Sequence, residues 1–254
     1  IGVDTIAQLK TLARPVQVTI ADVDLDQQPD YLVNEFGLLT GSLTLYRKNG
    51  NEFERKIIKD APGATKVYLR DYNGDGLQDI YALFAQGNEG IFLFTNLGNG
   101  NFSEKQLIQF PPVYGSTFFE MIDLNGDEKL DIVYTCGDNA DYSRVLKPYH
   151  GLYIYMNNGD DTYRQTFFYH MNGCYKALAR DFDNDGNADI AAISFFADYA
   201  RFPDEGFVYL HNKGNFLFQP YTIREARGGR WITMDAGDLN GDGKLDLVLG
   251  NFSY

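Results

Sequence analysis

The sequence predicts an all-β chain of repeated four-stranded sheets, the blades of a β-propeller or of a large part of one. Three observations lead there. A nine-residue acidic motif occurs five times, with starts separated by 49, 52, 58 and 57 residues. Each full interval holds four short apolar or alternating segments, the last two divided by an Asn/Gly turn signal. Aromatic residues make up 15% of the chain, with 18 Tyr and 19 Phe, and no segment sustains the 3.6-residue apolar period of a helix.

Taken in order, a first alternating strand precedes each motif: Val16 to Ala21, Lys66 to Arg70, Phe118 to Ile122, Ala177 to Arg180 and Trp231 to Gly237. A more apolar second strand follows it, as at Ile80 to Ala85, Ile132 to Thr135, Ile190 to Phe195 and Leu247 to Leu249. After a variable connection comes a third: Leu43 to Tyr46, Ile91 to Phe94, Leu152 to Tyr155 and Val208 to Leu210. Asn49-Gly50, Gly98-Asn99-Gly100, Asn158-Gly159 and Lys213-Gly214-Asn215 then supply residues that tolerate positive φ, and Phe53, Phe102, Tyr163 or Phe216 opens a fourth strand. A lone four-stranded sheet cannot bury both faces, so such blades must stack. The expected divisions are residues 1–14 as the end of a preceding blade, blades at 15–63, 64–115, 116–173 and 174–229, and a partial blade at 230–254. In the first of these, Ile6, Leu9 and Leu12 stand where a fourth strand would. Either the partial pieces combine or the chain is part of a larger ring, for example a seven-bladed one.

The motif reads Asp-x-Asp/Asn-x-Asp-Gly-x-x-Asp, with starts at Asp22, Asp71, Asp123, Asp181 and Asp238. Oxygens at positions 1, 3 and 5 of a tight loop converge on one point, and the Asp at position 9 closes the cage. That is a hard-cation site, and Ca²⁺ tolerates six to eight oxygen ligands at irregular angles. The expected side-chain ligands are Asp22, Asp24, Asp26 and Asp30; Asp71, Asn73, Asp75 and Asp79; Asp123, Asn125, Asp127 and Asp131; Asp181, Asp183, Asp185 and Asp189; and Asp238, Asn240, Asp242 and Asp246. An EF-hand would instead carry Glu at position 12 between helices, whereas position 12 here is Ala82, Tyr134, Ala192 or Leu249 within a strand. The loops therefore resemble the FG-GAP and VCBS repeat families, the Ca²⁺-bearing blades also seen in integrin α-subunit propellers. VCBS-type bacterial secreted or surface proteins are the nearer likeness, because Phe36-Gly37 is not followed by the Gly-Ala-Pro of the integrin form and Ala61-Pro62-Gly63 only echoes it. The resemblance implies up to five Ca²⁺ ions, with the position-7 carbonyls of Gln28, Leu77, Lys129, Asn187 and Lys244 as further ligands. Two loops replace the position-6 Gly, by Gln27 and by Glu128. A side chain at a positive-φ turn costs roughly 1 kcal/mol, so weaker binding is expected there.

The formal charge of −13 argues against nucleic acid and anionic membrane surfaces. Yet 17 of the 35 acidic residues are aspartates of the five loops, and five divalent ions would leave about −3. Loops so acidic suit a calcium-rich extracellular, cell-surface or periplasmic setting. Cys136 and Cys174 lack metal or redox spacing, which leaves a disulfide or two buried thiols. No apolar run reaches the 18 residues of a membrane span. The start at Ile1 reads as a mature or excised segment.

No catalytic residue is assigned. The chain has no Gly-x-Ser-x-Gly elbow, no His-Glu-x-x-His and no P-loop lysine motif. His150, His170 and His211 are scattered, and His211, beside a hairpin turn, is expected to face solvent. The expected role is a binding or scaffold module for a protein or carbohydrate ligand, fused to or assembled with other domains. The alternative is a polysaccharide-lyase type of enzyme. The longest connection between second and third strands, Cys136 to Gly151, and the links between blades suggest a ligand surface that includes Asp138, Asp141, Tyr142, Tyr149, His150, Lys66 and Lys176.

Overall fold

In the computed structural model, residues 8–50, 52–138 and 145–252 are described. They form two compact units, residues 1–110 and residues 111–254. The first unit holds β1 (Pro15–Ala21), β2 (Asp30–Glu35), β3 (Ser42–Asn49) and β4 (Glu52–Lys59), paired in that order as one antiparallel sheet. Its second sheet is the meander β5 (Ala64–Arg70), β6 (Asp79–Phe84), β7 (Gly90–Asn96) and β8 (Phe102–Gln109).

The second unit repeats the plan with β9 (Ser116–Ile122), β10 (Asp131–Cys136), β11 (Gly151–Asn157) and β12 (Tyr163–His170). A further sheet follows, with β13 (Cys174–Arg180), β14 (Asp189–Ser194), β15 (Phe207–Asn212) and β16 (Phe218–Tyr221). After a 3₁₀ turn at Arg224–Ala226, β17 (Trp231–Gly237) pairs with β18 (Asp246–Asn251). The result is all-β: four-stranded antiparallel sheets in series, consistent with propeller blades. Among the described residues no helix is long and apolar enough to cross a membrane.

Burial explains why the second strands read as unbroken apolar runs. Every residue of β6, β10 and β14 is buried, while no residue of β8 or β12, at the sheet edge, is fully buried. Within the first unit, Leu32, Leu43 and Leu45 of one sheet pack with Val67, Ile80, Ala82 and Phe92 of the next. In the second unit, Val133, Leu152 and Ile154 meet Ala177, Ala179, Ile190 and Ala192. A separate cluster joins Ala191, Ile193 and Phe207 to Met234. Each fully buried Leu, Ile or Phe contributes about 1.5–3 kcal/mol relative to exposure. The alanines let backbones approach, and at Gly137 no side chain fits at all, because a Cβ would stand 2.3 Å from Cys174 N. Both cysteines are buried free thiols, so of the two alternatives the structure has the unbonded one.

The same irregularity recurs in every first strand. Its pairing with the second strand slips by one residue, which leaves Val16, Thr65, Thr117, Tyr175 and Ile232 unpaired as bulges. At two of them the threonine hydroxyl supplies a replacement bond: Thr65 Oγ1 donates to Leu83 O (3.2 Å) and Thr117 Oγ1 to Thr135 O (3.0 Å). The fourth strand of the β13–β16 sheet differs from expectation. It begins at Phe218 rather than Phe216, because Asn215 and Phe216 both sit at positive φ (52° and 59°) and prolong the turn. Residues 8–14 form no strand, and Thr11 and Arg14 also have positive φ there.

Candidate metal centres

All five acidic motifs are loops joining the first and second strands of a sheet. Position 1 builds the loop from within. Asp71 Oδ1 accepts N–H bonds from Gly74 (2.8 Å) and Asp75 (3.1 Å), and Oδ2 accepts one from Gly76 (2.9 Å). Asp22, Asp123, Asp181 and Asp238 make the corresponding bonds to positions 5 and 6. The carboxylate at position 5 accepts the N–H of position 7, so Asp26, Asp75, Asp127, Asp185 and Asp242 hold Gln28, Leu77, Lys129, Asn187 and Lys244, the residues with the expected carbonyl ligands. These N–H donors stabilise the charged carboxylate and lower the pKa at Asp127, Asp185 and Asp238, led by Lys129, Asn187 and Gly243 respectively.

The tight wrap needs two left-handed residues, at positions 4 and 6. Position 6 is Gln27 (φ 66°), Gly76, Glu128 (φ 67°), Gly186 and Gly243, as the sequence reading expects. Position 4 is Leu25 (φ 62°), Gly74, Gly126, Asn184 and Gly241, a requirement that reading overlooked although three glycines and an asparagine carried it.

Position 9 does more than close a cage. Asp30, Asp79, Asp131 and Asp189 are at most 1% exposed. In three of these, Oδ2 accepts the position-2 N–H, from Val23 (3.1 Å), Tyr72 (2.8 Å) and Leu124 (3.0 Å). Oδ1 reaches across the sheet to the end of the third strand, accepting Lys48 N (3.3 Å), Asn96 N (2.6 Å), Asn157 N (2.8 Å) and, from Asp189, Asn212 N (2.7 Å). Burial raises the carboxyl pKa of Asp30 and Asp131 against the lowering by these donors. The position-9 Asp is thus a strut between loop and hairpin.

A second strut went unnoticed in the sequence. The amides of Asn96, Asn157 and Asn212 donate to the position-8 carbonyls of Gln78 (3.2 Å), Leu130 (3.2 Å) and Ala188 (3.1 Å). Their Oδ1 atoms accept N–H from Gly98, Gly159 and Gly214. The repeated Asn-x-Gly at 96–98, 157–159 and 212–214 was the available signal.

Among the described residues, three groups of side chains bring ligand atoms within 4.8 Å of one another: Asp22, Asp24 and Asp30; Asp181, Asp183 and Asp185; and Asp183, Asp189 and His211. Loops two, three and five carry Asn73, Asn125 and Asn240 at position 3, whose oxygens accept the position-5 N–H. The first loop tests the fit to a cation directly. Asp24 Oδ1 is buried and receives no hydrogen bond. A donorless buried carboxylate oxygen among two other carboxylates is costly, and a cation removes that cost. Arg47 Nη1 offers partial compensation on the other oxygen, 3.3 Å from Asp24 Oδ2.

Of the described residues expected on a ligand surface, His150 is buried and Lys66, Asp138, Tyr149 and Lys176 are partly buried. Tyr149 stacks on Tyr114 (5.0 Å, 11°), its carbonyl accepts the Tyr153 hydroxyl (2.6 Å), and His150 is 1% exposed. Lys176 Nζ donates to Met234 O (2.6 Å) and lies 5.1 Å from the Phe118 ring. Lys66 lies over Tyr68 (4.9 Å), and Asp138 is held by its N–H to Gly115 O (3.0 Å). Asp141, Tyr142 and Arg144 fall outside the described residues. His211, expected at the surface, instead turns onto the fourth loop.

The family model of the FG-GAP-like repeat matches residues 22–82, 71–134 and 195–249. The chain belongs to the FG-GAP-like repeat family. The first two FG-GAP matches each start at an acidic loop and run through the next loop into its second strand, and the third ends in β18. These repeats are therefore all-β units whose acidic clusters could bind metal. No curated protein matches the chain.

Proposed function

We propose that this FG-GAP repeat chain is a calcium-stabilised binding or scaffold module that works outside the cell or in the periplasm. The observation that carries the reading is the donorless, buried Asp24 Oδ1 within a three-carboxylate group, in a loop whose plan recurs five times. Calcium is the ion favoured because the donors are oxygens on a flexible loop, and the side chains offer no fixed octahedron of the kind Mg²⁺ demands. Binding at sub-micromolar cytosolic Ca²⁺ would leave such loops empty and self-repelling, which favours a calcium-rich compartment. The ligand is a protein or carbohydrate, held on surfaces that the sheets keep rigid. In a calorimetric titration of chelator-treated protein, Ca²⁺ should bind at several sites and raise the melting temperature, with Mg²⁺ a poor substitute. Glycan and extracellular-protein arrays probed with the loaded protein then identify the ligand class. A protein that binds no Ca²⁺ and melts identically in chelator would overturn the reading.

A further inference from the structure

In each of the four-stranded sheets, the residue before the one whose N–H donates to the position-9 Asp occupies one shared place on the third strand. It is Arg47, Thr95, Met156 and His211 in turn, because Lys48, Asn96, Asn157 and Asn212 are the donors. Two of the four show that this place faces loop position 3. Arg47 Nη1 is 3.3 Å from Asp24 Oδ2, and His211 Nδ1 is 3.4 Å from Asp183 Oδ2. The chemistry of the two differs. A guanidinium has no lone pair and can only neutralise the loop, whereas a neutral imidazole nitrogen can ligate.

His211 Nδ1 also lies 3.2 Å from Asp189 Oδ1. The imidazole side chain is 14% exposed and Asp189 is fully buried. Ligands about 2.1 Å from a tetrahedral Zn²⁺ stand about 3.4 Å apart, close to the spacing of His211 Nδ1 from each of the two carboxylate oxygens, and the three side chains bring ligand atoms within 4.8 Å of one another. The outer contacts are those of a held site. Tyr209 donates its hydroxyl to Asp189 Oδ2 (2.5 Å), and its ring stacks on His211 (6.2 Å, 17°). Nitrogen in the shell disfavours Ca²⁺ and favours late first-row ions.

We propose that the fourth loop is a mixed nitrogen–oxygen site for a late first-row transition ion of the zinc class, with Asp183, Asp189 and His211 as its side-chain ligands. This rests on the loops being cation sites but not on their being calcium sites. Asp183 is shared with Asp181 and Asp185, so the loop's oxygen cluster and the histidine compete for one ion.

The test titrates chelator-treated protein with Zn²⁺ in millimolar Ca²⁺, and with Co²⁺ as the visible-spectrum probe. Wild type should take up one zinc that resists calcium and develop a cobalt band. His211→Gln should weaken that zinc at least about tenfold, since even outer partners of a metal ligand are worth 10–100-fold, and abolish the band. Equal zinc affinity in the two proteins, or a zinc displaced by calcium, overturns the inference. If His211→Gln fails to fold, Arg47→His is the second variant, because it builds the same ligand set opposite Asp24 and Asp30. A second zinc equivalent supports the inference, and no gain overturns it. Calcium-induced stabilisation with zinc indifferent to His211 removes this inference alone. His211-dependent zinc without any calcium effect removes the calcium reading and leaves this one.

Discussion

His150 is a built-in acid sensitivity of the second unit. It is 1% exposed, its Nε2 is buried without a hydrogen-bond partner, and its ring meets Tyr149 edge-on at 5.5 Å. Burial, aided by the positive charge of Lys147 and by His170, pushes its pKa down to about 4 from 6.5. The folded state therefore rejects a proton that the unfolded chain accepts. Stability from this group is complete above pH 6.5 and falls by up to about 1.4 kcal/mol per pH unit as the pH drops towards 4. Over the whole window the loss reaches about 3 kcal/mol. His150→Phe fills the same space without a titrating nitrogen. Urea unfolding of both proteins across this range, with calcium saturating throughout, isolates the term as a difference, because the loop carboxylates titrate alike in each. The wild-type deficit should open below pH 6.5 and level off near pH 4. Parallel stability curves for the two proteins would refute the reasoning.

Other outcomes follow from the loops. Asp79→Ala strands the N–H groups of Tyr72 and Asn96, so it should cost about 2–4 kcal/mol even in chelator, whereas Asp75→Ala should matter mainly when metal is present; denaturant titrations with and without chelator separate them. At free Ca²⁺ near 100 times Kd, each loaded site adds about 2.7 kcal/mol, so chelation should lower the melting temperature by many degrees in calorimetry. Leu25→Gly and Gln27→Gly relieve two left-handed side chains and should each stabilise by about 0.5–1 kcal/mol after the greater chain entropy of glycine, while Gly76→Gln should do the reverse; thermal melts in calcium read the sign. Cys136 and Cys174 are buried, and burial raises the Cys174 thiol, so a thiol reagent should find neither until denaturant is added.

Repetition made the sheets legible. The apolar runs at Ile80, Ile132 and Ile190 announced strands buried on both faces, and the Asn/Gly turns located the outer hairpins. The fourth hairpin misled because Phe216 matches Phe53 and Phe102 in sequence yet takes a positive φ beside Asn215. The acidic clusters were legible because they are local, nine residues closing on themselves. What joins the loops to their sheets was not, since Asp79 to Asn96 and Asp189 to Asn212 span different strands. His211 was misjudged for the same reason: its neighbours in sequence form a turn, while its neighbours in space are Asp183 and Asp189. The expected ligand surface was read from the longest connection and the links between blades, and neither says that Tyr149 stacks on Tyr114.

The unpaired residue in each first strand sets a phase for anyone who would rearrange this chain. Beyond Val16, Thr65, Thr117, Tyr175 or Ile232, the partner of each residue is counted one place differently from before it. Side chains in a strand alternate, so removing one such residue turns the strand residue before it, Pro15, Ala64, Ser116, Cys174 or Trp231, to the opposite face. Whole repeats cut at the same point relative to this residue are interchangeable cassettes. A splice made out of phase would carry every acidic loop intact and still turn the residue that opens each first strand the wrong way.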